Sequence, residues 1–157
     1  MRVFFRVFGL FLLISSASAF AGGKHLVTYT SKQDFESVKS AIYEAITDQG
    51  LVINNTSHIG EMLERTGKDL GGAPPIFIQA ESYEFCSASV SRLTMQADPH
   101  NIVFCPYIIS VYVLPKEPSK TYISFRKPDA VGSAASQASL KAVEKLLRTI
   151  IEQALQP

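Results

Sequence analysis

Between His25 and Thr30 the chain is dense in β-branched and aromatic side chains, a pattern that predicts a strand. Apolar residues then fall at Phe35, Val38, Ala41, Ile42, Ala45 and Ile46, spaced by threes and fours, which puts them on one side of a helix. Ser31 followed by Asp34 gives that helix a capping-box-like start, and Gly50 stands where a positive φ usually closes one. A second strand is predicted over 51–55. A short helix over 59–66, carrying Met62 and Leu63, runs into Gly67, Gly71-Gly72 and Pro74-Pro75, residues that punctuate a loop.

The second half repeats the alternation of periods. Residues 75–85 predict a third strand, and 87–97 a helix with Val90, Leu93 and Met95, closed by Asp98-Pro99. Residues 107–113 and 121–126 predict two strands joined as a hairpin. From Ala134 to Leu155 an apolar stripe of Leu140, Val143, Leu147, Ile150, Ile151 and Leu155 lies opposite Lys141, Glu144, Lys145, Arg148 and Glu152, the signature of an amphipathic helix. The order β-α-β-(α)-β-α-β-β-α, with a hairpin and helices that need a shared face to pack on, predicts an α+β fold. Its mostly antiparallel sheet has about five strands, with the helices packed on one side.

The residues before His25 change the picture by adding an address. Arg2 and Arg6 precede an uncharged apolar run from Phe8 to Ile14, and Ala17-Ser18-Ala19 has the small–x–small form cut by signal peptidase. Residues 1–19 are therefore expected to be a cleavable signal peptide, with Ala19-Phe20-Ala21 as the second-choice cleavage site. The apolar run is shorter than the ~20 residues that span a hydrocarbon core. Residues 20–157 then form a single domain of ordinary size, periplasmic or secreted, with no membrane span after cleavage. Losing Arg2 and Arg6 takes the basic count from 15 to 13 against 14 acidic residues, a net charge near −1. Such a balance argues against a nucleic-acid partner, and Arg126-Lys127, the one basic pair of note, reads as a solvated strand end.

Export also governs the two cysteines, Cys86 and Cys105, the only two in the chain. In an oxidising compartment an isolated pair is expected to form a structural disulfide. The segment between them can fold back far enough for the two to meet. The alternative is a thiol-redox or metal-handling pair, in which a helix N-terminus beside Cys86 would favour its thiolate. No Cys-x-x-Cys supports the redox alternative. Met95 and His100 lie between the cysteines, yet neither has metal-ligand spacing; they read as a core methionine and a loop histidine, and His25 and His58 carry no ligand pattern either.

Other chemistry finds little support. No Gly-x-Ser-x-Gly elbow is present, and Gly67-Lys68-Asp69 lacks the remainder of a phosphate loop. Glu81 and Glu84, three apart on a strand, point to opposite faces and cannot act as a pair. Tyr83, Tyr107, Tyr112 and Phe125 are expected to share one face of the sheet, either as core or as a small-ligand or dimer surface.

Phe85-Cys86-Ser87-Ala88, Met95-Gln96-Ala97-Asp98-Pro99, Phe104-Cys105-Pro106-Tyr107 and Ile109-Ser110-Val111-Tyr112 together resemble the domain-of-unknown-function family numbered 302, over roughly residues 24–156. The resemblance implies a compact α+β domain, often a homodimer, and brings no reaction, cofactor or catalytic residue with it. The sequence thus points to an exported, non-catalytic domain that binds a small ligand or a protein partner, with thiol or metal chemistry at Cys86 and Cys105 as the alternative.

Overall fold

A computed structural model describes residues 25–156; the expected signal peptide lies outside the described residues. Five strands form one antiparallel sheet: β1 (Leu26–Ser31), β2 (Val52–Ser57), β3 (Gln79–Cys86), β4 (Tyr107–Val113) and β5 (Thr121–Arg126), in the order β1-β5-β4-β3-β2. The helices are α1 (Phe35–Asp48), α2 (Ile59–Asp69), α3 (Ala88–Ala97) and α4 (Ala134–Ala154). The expected α+β class is observed. β1 and β2, neighbours in sequence, occupy opposite edges and never pair.

Strand alternation decides what each side chain does. On one face Val27, Tyr29, Tyr83, Phe85, Ile109, Val111, Ile123 and Phe125 meet the apolar stripes of α1 and α4, and all are buried. The α1 stripe of Phe35, Val38, Ile42, Ala45 and Ile46 is fully consumed by this core, as are Leu147, Ile150 and Ile151 of α4. α4 touches both α1 and α3, so it is the middle of the helical layer. Burial at about 25 cal/mol per Å² of apolar area makes this two-layer packing the main source of stability.

The caps differ in detail from expectation. Asp34, not Ser31, is the N-cap of α1: its carboxylate accepts from the Ser37 N–H at 2.9 Å, while Ser31 ends β1 and accepts from the Gln33 N–H. Gly50 closes α1 at φ +71°, as its position predicts. Residues 75–78 stay outside the third strand. Pro74 and Pro75 have no N–H to give a ladder, and the chain rejoins the sheet only where the Ile78 N–H donates to the Val113 carbonyl at 2.9 Å. A register shift between Ile53 and Asn55 kinks β2. α2 then leaves the sheet edge beside β3 with no buried residue of its own.

One element was not foreseen. Residues 99–104, for which the sequence pattern predicts no element, form a 3-10 helix, with the Asp98 carboxylate accepting from the His100 N–H at 2.9 Å and Pro99 in its first turn. Asn101, 3% exposed, holds this helix in place by donating to the Thr94 carbonyl at 3.1 Å and to Ser136 Oγ at 2.9 Å, so it ties α3 to α4.

Candidate functional site

β4 and β5 pair only from Ser110↔Ser124 to Val113↔Thr121. Beyond Ser110 and Ser124 the two strands part, because β5 follows β1 through Phe125 and Arg126 while β4 follows β3 to Tyr107. The gap is a cleft of about 580 Å³. Buried Tyr107, Phe125 and Leu147 form its floor, and Leu26, Phe104 and Ile108 its apolar walls. Ser110 and Ser124 close the inner end, where the ladder resumes. His25, Arg126, Lys127 and Asp129 stand at the charged rim.

The rim charges are not equivalent. His25 Nδ1 lies 2.9 Å from the Asp129 carboxylate, and Lys127 Nζ lies 3.5 Å from Glu144, which also holds Arg148 at 2.8 Å. Arg126 is exposed and joins no ion pair among the described residues. Its register partner in β1 is Leu26, an apolar neighbour. Arg126-Lys127 is therefore more than a solvated strand end: the pair edges a cleft that no local sequence signal announces, since the cleft exists only where the pairing of two strands stops.

The cysteines sit at the same end of the sheet. Phe85 pairs with Tyr107, so Cys86 lies one residue past that rung and Cys105 two residues before it, on the far side of a cis Cys105–Pro106 peptide bond. Strand pairing brings them together. The expected disulfide is not formed: both are free thiols, not at disulfide distance. Ser91 Oγ of α3 lies 3.2 Å from Cys105 Sγ and 3.0 Å from the Tyr107 hydroxyl.

Burial pushes the Cys86 thiol up, and the neighbouring Cys105 raises it further, against a smaller pull from the Tyr107 backbone. The expectation of a thiolate favoured by a helix N-terminus is thus reversed. Ser87, not Cys86, caps α3, accepting from the Val90 N–H. Burial also pushes the Tyr107 hydroxyl up to about 12, with the Ser91 hydroxyl acting in the opposite direction.

The four aromatic residues expected on one surface divide between the two faces. Tyr83, Tyr107 and Phe125 are buried beneath the helices, whereas Tyr112, five residues from Tyr107, points to the opposite face. There it stacks on Tyr122, with ring centroids 5.3 Å apart, and meets Phe77 edge-on. Tyr83 donates to Glu81 at 3.1 Å, and its hydroxyl is held well above the ordinary range by burial and by that carboxylate. Glu81 also lies 3.4 Å from His58 and 3.6 Å from Lys39, while Glu84 faces the other way and meets Asn55 and Ser57. Met95 is half-buried and His100 exposed. No group of three or more His, Cys, Asp or Glu side chains among the described residues is placed to hold a metal ion, and none of the described helices is long and apolar enough to cross a membrane.

Fold and cleft define a two-layer α+β domain with a single antiparallel sheet. The chain belongs to the family described as Domain of unknown function DUF302, whose model matches residues 27–156. A solved structure of the same fold is that of an uncharacterized conserved protein DUF302 from Bacillus stearothermophilus. It is 16% identical, with a TM-score of 0.69 over 84% of this chain and 99% of that one. No curated protein matches the chain.

Proposed function

We propose that the mature domain is a non-catalytic binding module, exported to the periplasm or beyond, that takes a small ligand in the cleft between β4 and β5. The observation that carries this reading is the cleft itself. Its volume of about 580 Å³ falls in the range of small-molecule sites, ~300–1,000 Å³, and its floor is apolar with few polar groups, as such sites are built. A thermal-shift screen of small molecules tests it: stabilising compounds are expected, and Ser124→Phe, which places a ring in the cleft, is expected to abolish their effect. Compounds that stabilise both proteins equally, or none that stabilise either, refute the reading.

The face of the sheet opposite the α1–α4 layer supports association of two copies, since Tyr112, Tyr122 and Phe77 form an aromatic patch there. For the leader, N-terminal sequencing of the exported protein is expected to begin at Phe20; retention of residues 1–19 refutes the export reading.

A second reading, thiol chemistry at Cys86 and Cys105, is favoured by one observation: strand pairing holds two free thiols side by side. Against it stands the raised Cys86, because the thiolate is the reactive form. Rapid alkylation of the native protein at pH 7, matching that of the unfolded chain, would favour this reading over the first.

A further inference from the structure

We propose that the ligand of the β4–β5 cleft is a small amphipathic anion, an apolar body with one carboxylate-like head; the proposal rests on the reading of that cleft as a binding site. Two independent observations carry it. The first is the unpaired Arg126. Its guanidinium stands exposed at the rim, and no carboxylate among the described residues neutralises it, although His25 and Lys127 beside it each have one. A planar guanidinium matches a carboxylate with two parallel hydrogen bonds, which makes it the natural partner for such a head group.

The second observation lies at the other end. Ser124 is 7% exposed, lines the cleft, and its hydroxyl makes no side-chain hydrogen bond among the described residues, whereas Ser110 beside it bonds Ser82 at 2.7 Å. No buried side-chain polar atom among the described residues lacks a partner, so this hydroxyl is open to the cleft and available to a polar atom from outside the fold. Between the two lie Phe125, Tyr107, Leu147, Ile108 and Leu26, a continuous apolar length that would desolvate an aliphatic or aromatic body. A purely polar anion would leave this length unfilled, and a cationic amphiphile would face Arg126. The ligand therefore carries its negative end at the rim and a polar atom within reach of Ser124.

Isothermal titration of the mature protein with octanoate, 1-octanol and octyltrimethylammonium separates the possibilities. Octanoate is expected to bind about tenfold more tightly than octanol, the worth of one charge-assisted contact, and the cation more weakly than either. Arg126→Gln is expected to lower octanoate to the affinity of octanol and leave octanol unchanged. Leu26→Glu, which sets a carboxylate opposite Arg126 and removes part of the apolar wall, is expected to weaken both ligands, octanoate more than octanol. Equal affinity of octanoate and octanol, with both lost in Ser124→Phe, overturns the anion and leaves the cleft as a site. Binding that ignores Ser124→Phe, or no binding by any of the three, overturns the cleft itself. Circular dichroism and a cooperative melt establish that each variant is folded.

Discussion

The Asn101 amide donates to Ser136 Oγ at 2.9 Å from inside the 3-10 helix, and both residues are buried. This bond, with the one to the Thr94 carbonyl at 3.1 Å, is what fixes the segment that walls the cleft and carries Cys105. Asn101→Ala leaves the Thr94 carbonyl and the Ser136 hydroxyl without that partner, which costs about 1–3 kcal/mol. Urea denaturation is expected to show a lower midpoint with an unchanged slope. A loss below ~0.5 kcal/mol would mean that the segment is held by its apolar contacts instead.

Gly60 and Gly67 both lie in α2, and alanine at either raises helix propensity by ~1 kcal/mol. They are nevertheless expected to differ in sign. A Cβ at Gly60 would stand 2.9 Å from the Ala80 backbone nitrogen, and backbone cannot yield as a flexible side chain does; at Gly67 the nearest atom is 3.5 Å away, an ordinary contact. Gly67→Ala is expected to raise the thermal midpoint, and Gly60→Ala to lower it, by about 1–3 kcal/mol of overpacking strain.

The raised Cys86 thiol gives a pH dependence with a definite sign. Because the folded state keeps its proton after the unfolded chain has begun to lose it at about 8.5, stability is constant below that pH and falls above it, until the folded thiol itself ionises. Tyr107, at about 12, extends the fall into the tyrosine range. Denaturation curves between pH 7 and 9.5 are expected to show the decline in the wild type and a flatter profile in Cys86→Ala. An equal slope in both would assign the effect elsewhere.

Tyr112 carries the prediction for assembly. If two copies meet through the sheet face opposite the α1–α4 layer, sedimentation equilibrium gives a dimer for the wild type. Tyr112→Glu, a charge placed in the stacked patch with Tyr122, gives a folded monomer. A wild-type monomer, or a dimer that tolerates the substitution, removes this face as the interface.

Most of the architecture was legible in local pattern. The α1 and α4 stripes and both strands of the 107–126 hairpin lie where periodicity places them, because a helix or strand must turn its apolar side to a core whichever core that is. The 3-10 helix is not legible locally, since Pro99-His100-Asn101 reads as loop chemistry and its anchor, Ser136, is 35 residues away. Grouping Tyr107 with Tyr112 failed on simpler grounds: five residues along a strand reverse the side-chain direction.

The sequence by itself determined the elements, the fold class and the charge balance, all consequences of residue order and spacing. Only the tertiary structure decided that Cys86 and Cys105 come close yet stay outside disulfide distance, that Arg126 edges a cleft, and that Ser124 lines its inner end. The reason is that the first depends on the pairing of β3 with β4 at Phe85↔Tyr107, and the other two on where pairing between β4 and β5 stops after Ser110↔Ser124. That point is set by the differing company of the two strands, β1 on one side and β3 on the other, which is a property of the assembled sheet and of no single segment.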